Sequence, residues 1–214
     1  MKSSVIIPTA MQICVDDLGW FTGTDARHIG RPSRTGMTRP HRPEDYTVLN
    51  EIGKAIGQKI MCPLVLGEWD KENILRGEIG VTYEPKTWDR ASVIDLKLAE
   101  RCFEEAEKSE FIEYAVHGVL HGNYAADGSQ ITEQEYFEYK TPEDTLLSTQ
   151  SQEEIEHRFE LFFKLYDMWG FKKKIRAFAC PNSIPSNLES KDLGALSAVL
   201  KNTELNTGQT AGRK

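Results

Sequence analysis

Two histidines four residues apart, in the run His117-Gly118-Val119-Leu120-His121, can turn two imidazoles toward one point. A carboxylate from another strand can complete a facial set around a divalent ion, leaving positions open for water and substrate. The motif alone is weak, because loop histidines commonly bond backbone groups instead. The adjacent carboxylates Asp16 and Asp17 end the apolar run Met11–Val15 and supply the missing donor type. Two imidazoles and one carboxylate suit zinc, and nickel, cobalt or iron accept the same ligands.

These residues need elements to position them. Met11–Val15, Ile60–Leu66, Phe111–Val116 and Lys174–Ala179 read as four strands, each ending in polar residues. Between them lie three helical patterns. Val48, Leu49, Ile52, Ala55 and Ile56 recur at helical spacing before Gly57. A second helix is expected after a Ser92 cap, with Ile94, Leu98, Cys102, Phe103 and Ala106 on one stripe. A third carries Ile155, Phe159, Phe162, Phe163, Tyr166 and Trp169 and is closed by Gly170. The stretches 22–43 and 124–150 read as long excursions, and Asp192–Leu200 as a final helix. Strand and helix alternate, which predicts an α/β fold with a parallel sheet and right-handed crossovers. Ligands in such folds sit at the carboxyl ends of the strands. Asp16, Asp17, Glu68, His117, His121 and Asn182 all fall at that end.

Ile13-Cys14-Val15-Asp16-Asp17 resembles the first motif of the polysaccharide deacetylase superfamily, and His117-x-x-x-His121 is similar to its second. The resemblance implies Asp16 as general base and Asp17, His117 and His121 as the ligands of a divalent metal ion. Gly118 stands where the family commonly has Ser or Thr. Phe178-Ala179-Cys180-Pro181-Asn182 resembles the third motif, a wall of the site, which makes Pro181 and Asn182 substrate contacts. Ala179 replaces the family's Arg, Asn182 replaces an aromatic, and no His follows His157 to act as general acid. The fold implied is an incomplete or distorted (β/α) barrel surrounded by helices, over residues 1–201. The polar remainder, 202–214, is expected to be disordered.

Each candidate has a plainer alternative. Asp16 before a Gly-containing turn can be a solvated turn residue. Glu68 and Trp69 can contact substrate, but Glu68 and Asp70 read more simply as a polar strand exit. Trp20, Trp69 and Trp88 can stack on sugar rings or pack, with Trp20 foremost because it follows the Asp pair. His28, His41, Arg27, Arg31, Arg34, Arg39 and Arg42 form a basic stretch that can meet an anionic group or simply be solvated. His157 has no assigned role.

A formal net charge of -7, with 33 acidic against 26 basic residues, argues against nucleic acid or an anionic membrane as partner. The sequence has no apolar run long enough to span a bilayer and no secretory h-region, so the expected compartment is the cytoplasm. Cys14, Cys62, Cys102 and Cys180 show no pairing pattern and are expected to be reduced. The expected activity is metal-dependent removal of an acyl group, acetyl foremost, from an N- or O-acylated carbohydrate or other small molecule, in a chain that can be a homo-oligomer. The alternative is an inactive, metal-retaining glycan binder of the same fold.

Overall fold

The computed structural model describes residues 12–19, 39–141 and 143–203, and the backbone of 206–207. Ile60–Val65 (β1) is the six-residue run Ile-Met-Cys-Pro-Leu-Val, every residue buried, as a parallel strand covered on both faces must be. It pairs in parallel with Ile112–Gly118 (β2), from Ile60 opposite Ile112 onward. The sheet continues in parallel through Ala177–Phe178 (β7) to the short edge strand Asn206–Thr207 (β8), in the order β1-β2-β7-β8. On the other side of β1 the chain at 13–18 runs parallel, through bridges at Cys14 and Leu18. The fold is therefore α/β with a parallel sheet in chain order.

Four α-helices are described: Pro43–Ile56 (α1), Leu96–Lys108 (α2), Gln152–Trp169 (α3) and Gly194–Asn202 (α4). Gly57 and Gly170 end α1 and α3 in the left-handed conformation that glycine adopts at least cost. Ser151 and Glu154 close a capping box at the start of α3. The buried face of α3 carries Ile155, Phe159, Phe162, Tyr166 and Trp169 against the sheet. The excursion after β2 contains two short antiparallel pairs, Asn123–Tyr124 (β3) with Gln130–Thr132 (β4) and Phe137–Glu138 (β5) with Ser148–Thr149 (β6).

Three expected boundaries shift. α2 starts at Leu96, because Asp95 accepts the Leu98 amide at 3.0 Å while Ser92 bonds the Asp89 carbonyl. β2 runs on to Gly118, so His117 lies inside the strand rather than after it. β7 is only Ala177–Phe178, and the preceding chain is held elsewhere: the Lys173 ammonium donates to the carbonyls of Ala106 and Ser109 at the end of α2 and of Ile112 at the start of β2. No described helix is long and apolar enough to cross a membrane. The four cysteine thiols are free.

The basic stretch resolves into local structure where it is described. Arg39 forms a two-pronged bond to Asp45, at 2.8 and 2.6 Å, and Arg42 is the N-cap of α1. His41 is buried, with Nδ1 3.0 Å from the Tyr46 hydroxyl. Burial pushes its pKa down to about 4, because a charged imidazole would lose its hydration there. The folded protein then binds fewer protons than the unfolded chain between about pH 6.5 and 4, so stability falls as pH falls through that window. Urea titrations across it should show a loss of about 3 kcal/mol from this group, and His41→Gln should remove that component of the slope.

Candidate metal site at the strand ends

Two departures from regular pairing, one on each side of β1, place the site. The Met61 amide donates to Ile13 (3.0 Å) and the Val65 amide to Leu18 (2.8 Å), so the outer segment holds one residue more than β1 between those bonds. Between them sits Pro63, which has no N–H to keep the ladder in step. The extra length is taken up at Asp16–Asp17, and Asp17 adopts φ 63°. On the other side, Leu64 pairs with Val116 but Val65 pairs with Gly118, so His117 is the residue skipped. Bulges of this kind turn a side chain away from its alternating direction.

The result is convergence. His117 Nε2 lies 3.4 Å and His121 Nε2 3.6 Å from the same Asp17 oxygen, Oδ1, and the two rings are 5.0 Å apart. One ligand atom from each of the three lies within 4.8 Å of the others. Both histidines are buried and the Asp17 side chain is 13% exposed, open enough for an ion to enter. Donors held about 2 Å from one ion are separated by about 3 to 3.5 Å, so these side chains fit a shared divalent cation with little movement.

Neighbouring backbone fixes the rings. The Ala179 carbonyl sits 2.7 Å from His117 Nδ1 and accepts its proton, which leaves the Nε2 lone pair for the side facing Asp17. Ala179 thus contributes to the site through its backbone. Burial opposes a charge on His117, but the bond and charge of Asp17 outweigh it and hold its pKa above the usual value. His121 is held through its own amide. Glu135, fully buried between β4 and β5, accepts the N–H groups of Val119 (2.8 and 3.0 Å), Leu120 (3.1 Å) and His121 (2.7 Å). Burial pushes the Glu135 carboxyl up, while Arg158 and those amides pull it back toward the anion. Sequence reasoning missed Glu135, since one acid in a polar excursion carries no signal.

The cleft above the triad, about 430 Å³, is lined by Asp16, Asp17, His117, His121, Cys180, Asn182 and Ser183. Asp16 is exposed there and accepts the Cys14 thiol at 2.8 Å. Asn182 is exposed and donates to Glu133 at 3.2 Å, whereas Pro181 is buried and does not line the cleft. Among the described residues, five non-glycines have positive φ, and four of them, Asp17, His121, Asn182 and Ser183, line this cleft. Strained backbone held at one place in a fold marks a site whose geometry is over-determined.

Glu68 and Trp69 do not line the cleft. Glu68 is fully buried, paired with Arg90 and bonded by the Tyr83 hydroxyl at 2.7 Å. Trp69 packs edge-on against Trp169 at 5.0 Å and over Phe171. Asp70 is also structural, accepting the amides of Ile74 and Leu75 and the Trp88 indole. His157 bonds Glu78 on the helix surface. Trp20, His28, Arg27, Arg31 and Arg34 lie outside the described residues.

No family model and no curated protein matches the chain. Among solved structures it is similar to a CE4 family pseudoenzyme from Bacillus anthracis, at 14% identity and TM-score 0.42, over 92% of this chain and 41% of that one. It is also similar to a mutant of that pseudoenzyme with restored enzymatic activity, at 15% identity and TM-score 0.42, over 92% and 42%. The chain therefore spans about two fifths of the structures it matches. A likeness of that size assigns no role to any side chain.

The Asp17–His117 contact carries a pH signature in the metal-free protein. A histidine whose folded pKa is raised contributes stability that is complete below about pH 6.5 and is lost as pH rises through the folded value. Melting temperatures of the metal-free protein should fall as pH rises above about 6.5, and Asp17→Asn should flatten that fall.

Proposed function

We propose that the chain is a metal-dependent hydrolase that removes an acyl group, acetyl foremost, from an N- or O-acylated carbohydrate. The observation that carries this reading is the convergence of Asp17, His117 and His121, with His117 already fixed in the tautomer that offers Nε2. A bound divalent ion would supply Lewis acidity, polarising an acyl carbonyl and acidifying water. Zinc suits two imidazoles and a carboxylate best, and nickel, cobalt or iron would serve.

The chain's own part follows from the cleft. Asp16 is the carboxylate on its lining that is not one of the three convergent donors. Exposed beside Asp17, it takes the proton of the attacking water as the acyl carbon is struck. In this reading the same carboxylate, once protonated, returns that proton to the departing amine or alkoxide. Asn182 and Ser183 also line the cleft, and their polar groups would meet the hydroxyls of a sugar.

One observation favours a second reading, a metal-retaining glycan binder without turnover. Ala179 offers no side-chain cation to orient Asp16, whose described side-chain partner is the Cys14 thiol. The two readings separate experimentally. His121→Ala should lose bound metal, measured by elemental analysis, and with it any activity. Asp16→Asn should keep the metal while acetate release from acetylated sugars falls roughly 10²- to 10⁴-fold. Equal, nonzero release by wild type and Asp16→Asn would remove Asp16 as the base. Metal and glycan binding with no release from either protein would select the binder.

A further inference from the structure

Between the two imidazoles the chain turns through Val119 and Leu120, and the amides of Val119, Leu120 and His121 all point at one carboxylate, that of Glu135. Successive backbone N–H groups in a turn make a concavity that suits an anion, and here the protein supplies the anion itself. The carboxylate is fixed from its far side. Arg158 Nη1 lies 3.9 Å from Oε1, and the rest of that guanidinium is bonded to Gln150, Asn123 and the Gly80 carbonyl.

Gly118 belongs to the same device. A Cβ at that position would collide with Glu135 Oε2, so any side chain there must displace the carboxylate from the turn. A serine at 118 could perform the displaced role locally, because a Ser hydroxyl accepts N–H groups a few residues ahead in its own turn. Carboxylate from afar or hydroxyl from within are thus mutually exclusive solutions for one turn, and this chain uses the first.

We infer that Glu135 is the positioning residue of the His117–His121 turn, with Gly118 as its required partner, and that together they aim the His121 imidazole and set the ion affinity of the site. The affinity part rests on reading Asp17, His117 and His121 as an ion site; the positioning of the turn does not.

The test uses the full chain as wild type, Glu135→Gln, Glu135→Ala, Gly118→Ser and the Gly118→Ser/Glu135→Ala double variant. Zn²⁺ binding is measured by calorimetry, Co²⁺ coordination by visible absorption, and amide exchange of Val119, Leu120 and His121 in the metal-free proteins by NMR. Glu135→Ala and Gly118→Ser should each weaken Zn²⁺ binding roughly 10- to 100-fold and speed exchange of those three amides. Glu135→Gln keeps the volume and one acceptor oxygen, and should fall between them and wild type. The double variant should bind Zn²⁺ more tightly than either single one and regain the wild-type Co²⁺ spectrum. Single variants with wild-type affinity, or a double variant whose losses simply multiply, would overturn the inference. A role in the core alone would lower melting temperatures and leave the Co²⁺ spectrum unchanged, and it too would overturn it. A wild type that binds neither ion would sink the ion-site reading separately, and unchanged amide protection in Glu135→Gln would then sink the positioning role.

Discussion

The site hangs on one strand that is out of step with both neighbours. β1 is buried throughout and pairs on each side, yet each neighbour carries one residue more than β1 near its carboxyl end. A regular parallel sheet would alternate the side chains of those neighbours above and below its plane. The two slips break that alternation where Asp17 and His117 stand, and both side chains end on the same side of the strand ends. The proline in the middle of β1 has a direct part, since the ladder cannot hold register across a residue without an amide proton.

Convergence of this kind is costly to keep. Asp17, His121, Asn182 and Ser183 hold left-handed backbone, each at a cost of order 1 kcal/mol or more, though Asp, Asn and His tolerate it better than most. The cost is sustained because surrounding groups leave few alternatives. The Ala179 carbonyl holds one ring, the Glu135 carboxylate holds the turn bearing the other, and Arg158 ties that carboxylate to the loops around Gly80 and Asn123. Most of these supports are buried and bonded from several directions. An ion entering such a pocket would find its candidate ligands nearly in place, which would spare much of the ordering entropy that a flexible site would lose.

The strand ends were legible because each is an apolar run stopped by polar residues, and this put Asp16, Asp17, His117, His121 and Asn182 at one edge. The helices were legible from periodicity and from Gly57 and Gly170. The inward course of Glu68 and Trp69 was not legible, because a strand's end does not reveal which way the following turn points. Here a 3₁₀ turn over Gly67–Trp69 swings them into the core, where Arg90 and Trp169 await them. Glu135 was invisible for a related reason. Its meaning lies in amides some fifteen residues earlier, and no pattern of side-chain types records where backbone donors point.

The parallel arrangement also bears on how the chain assembles. Partners in the sheet lie from 29 residues apart, as Ala177 and Asn206 do, to 62, as Val116 and Phe178 do, and Asp17 is separated from His117 by nearly half the sequence. Long-range pairing of this sort makes for high contact order and slow folding. During synthesis Asp17 leaves the ribosome well before either imidazole, and the Glu135 carboxylate that holds the His121 turn gains its Arg158 partner only when α3 has docked. Capture of an ion would therefore come late, after the sheet has closed around β1, and would report a finished fold rather than seed one.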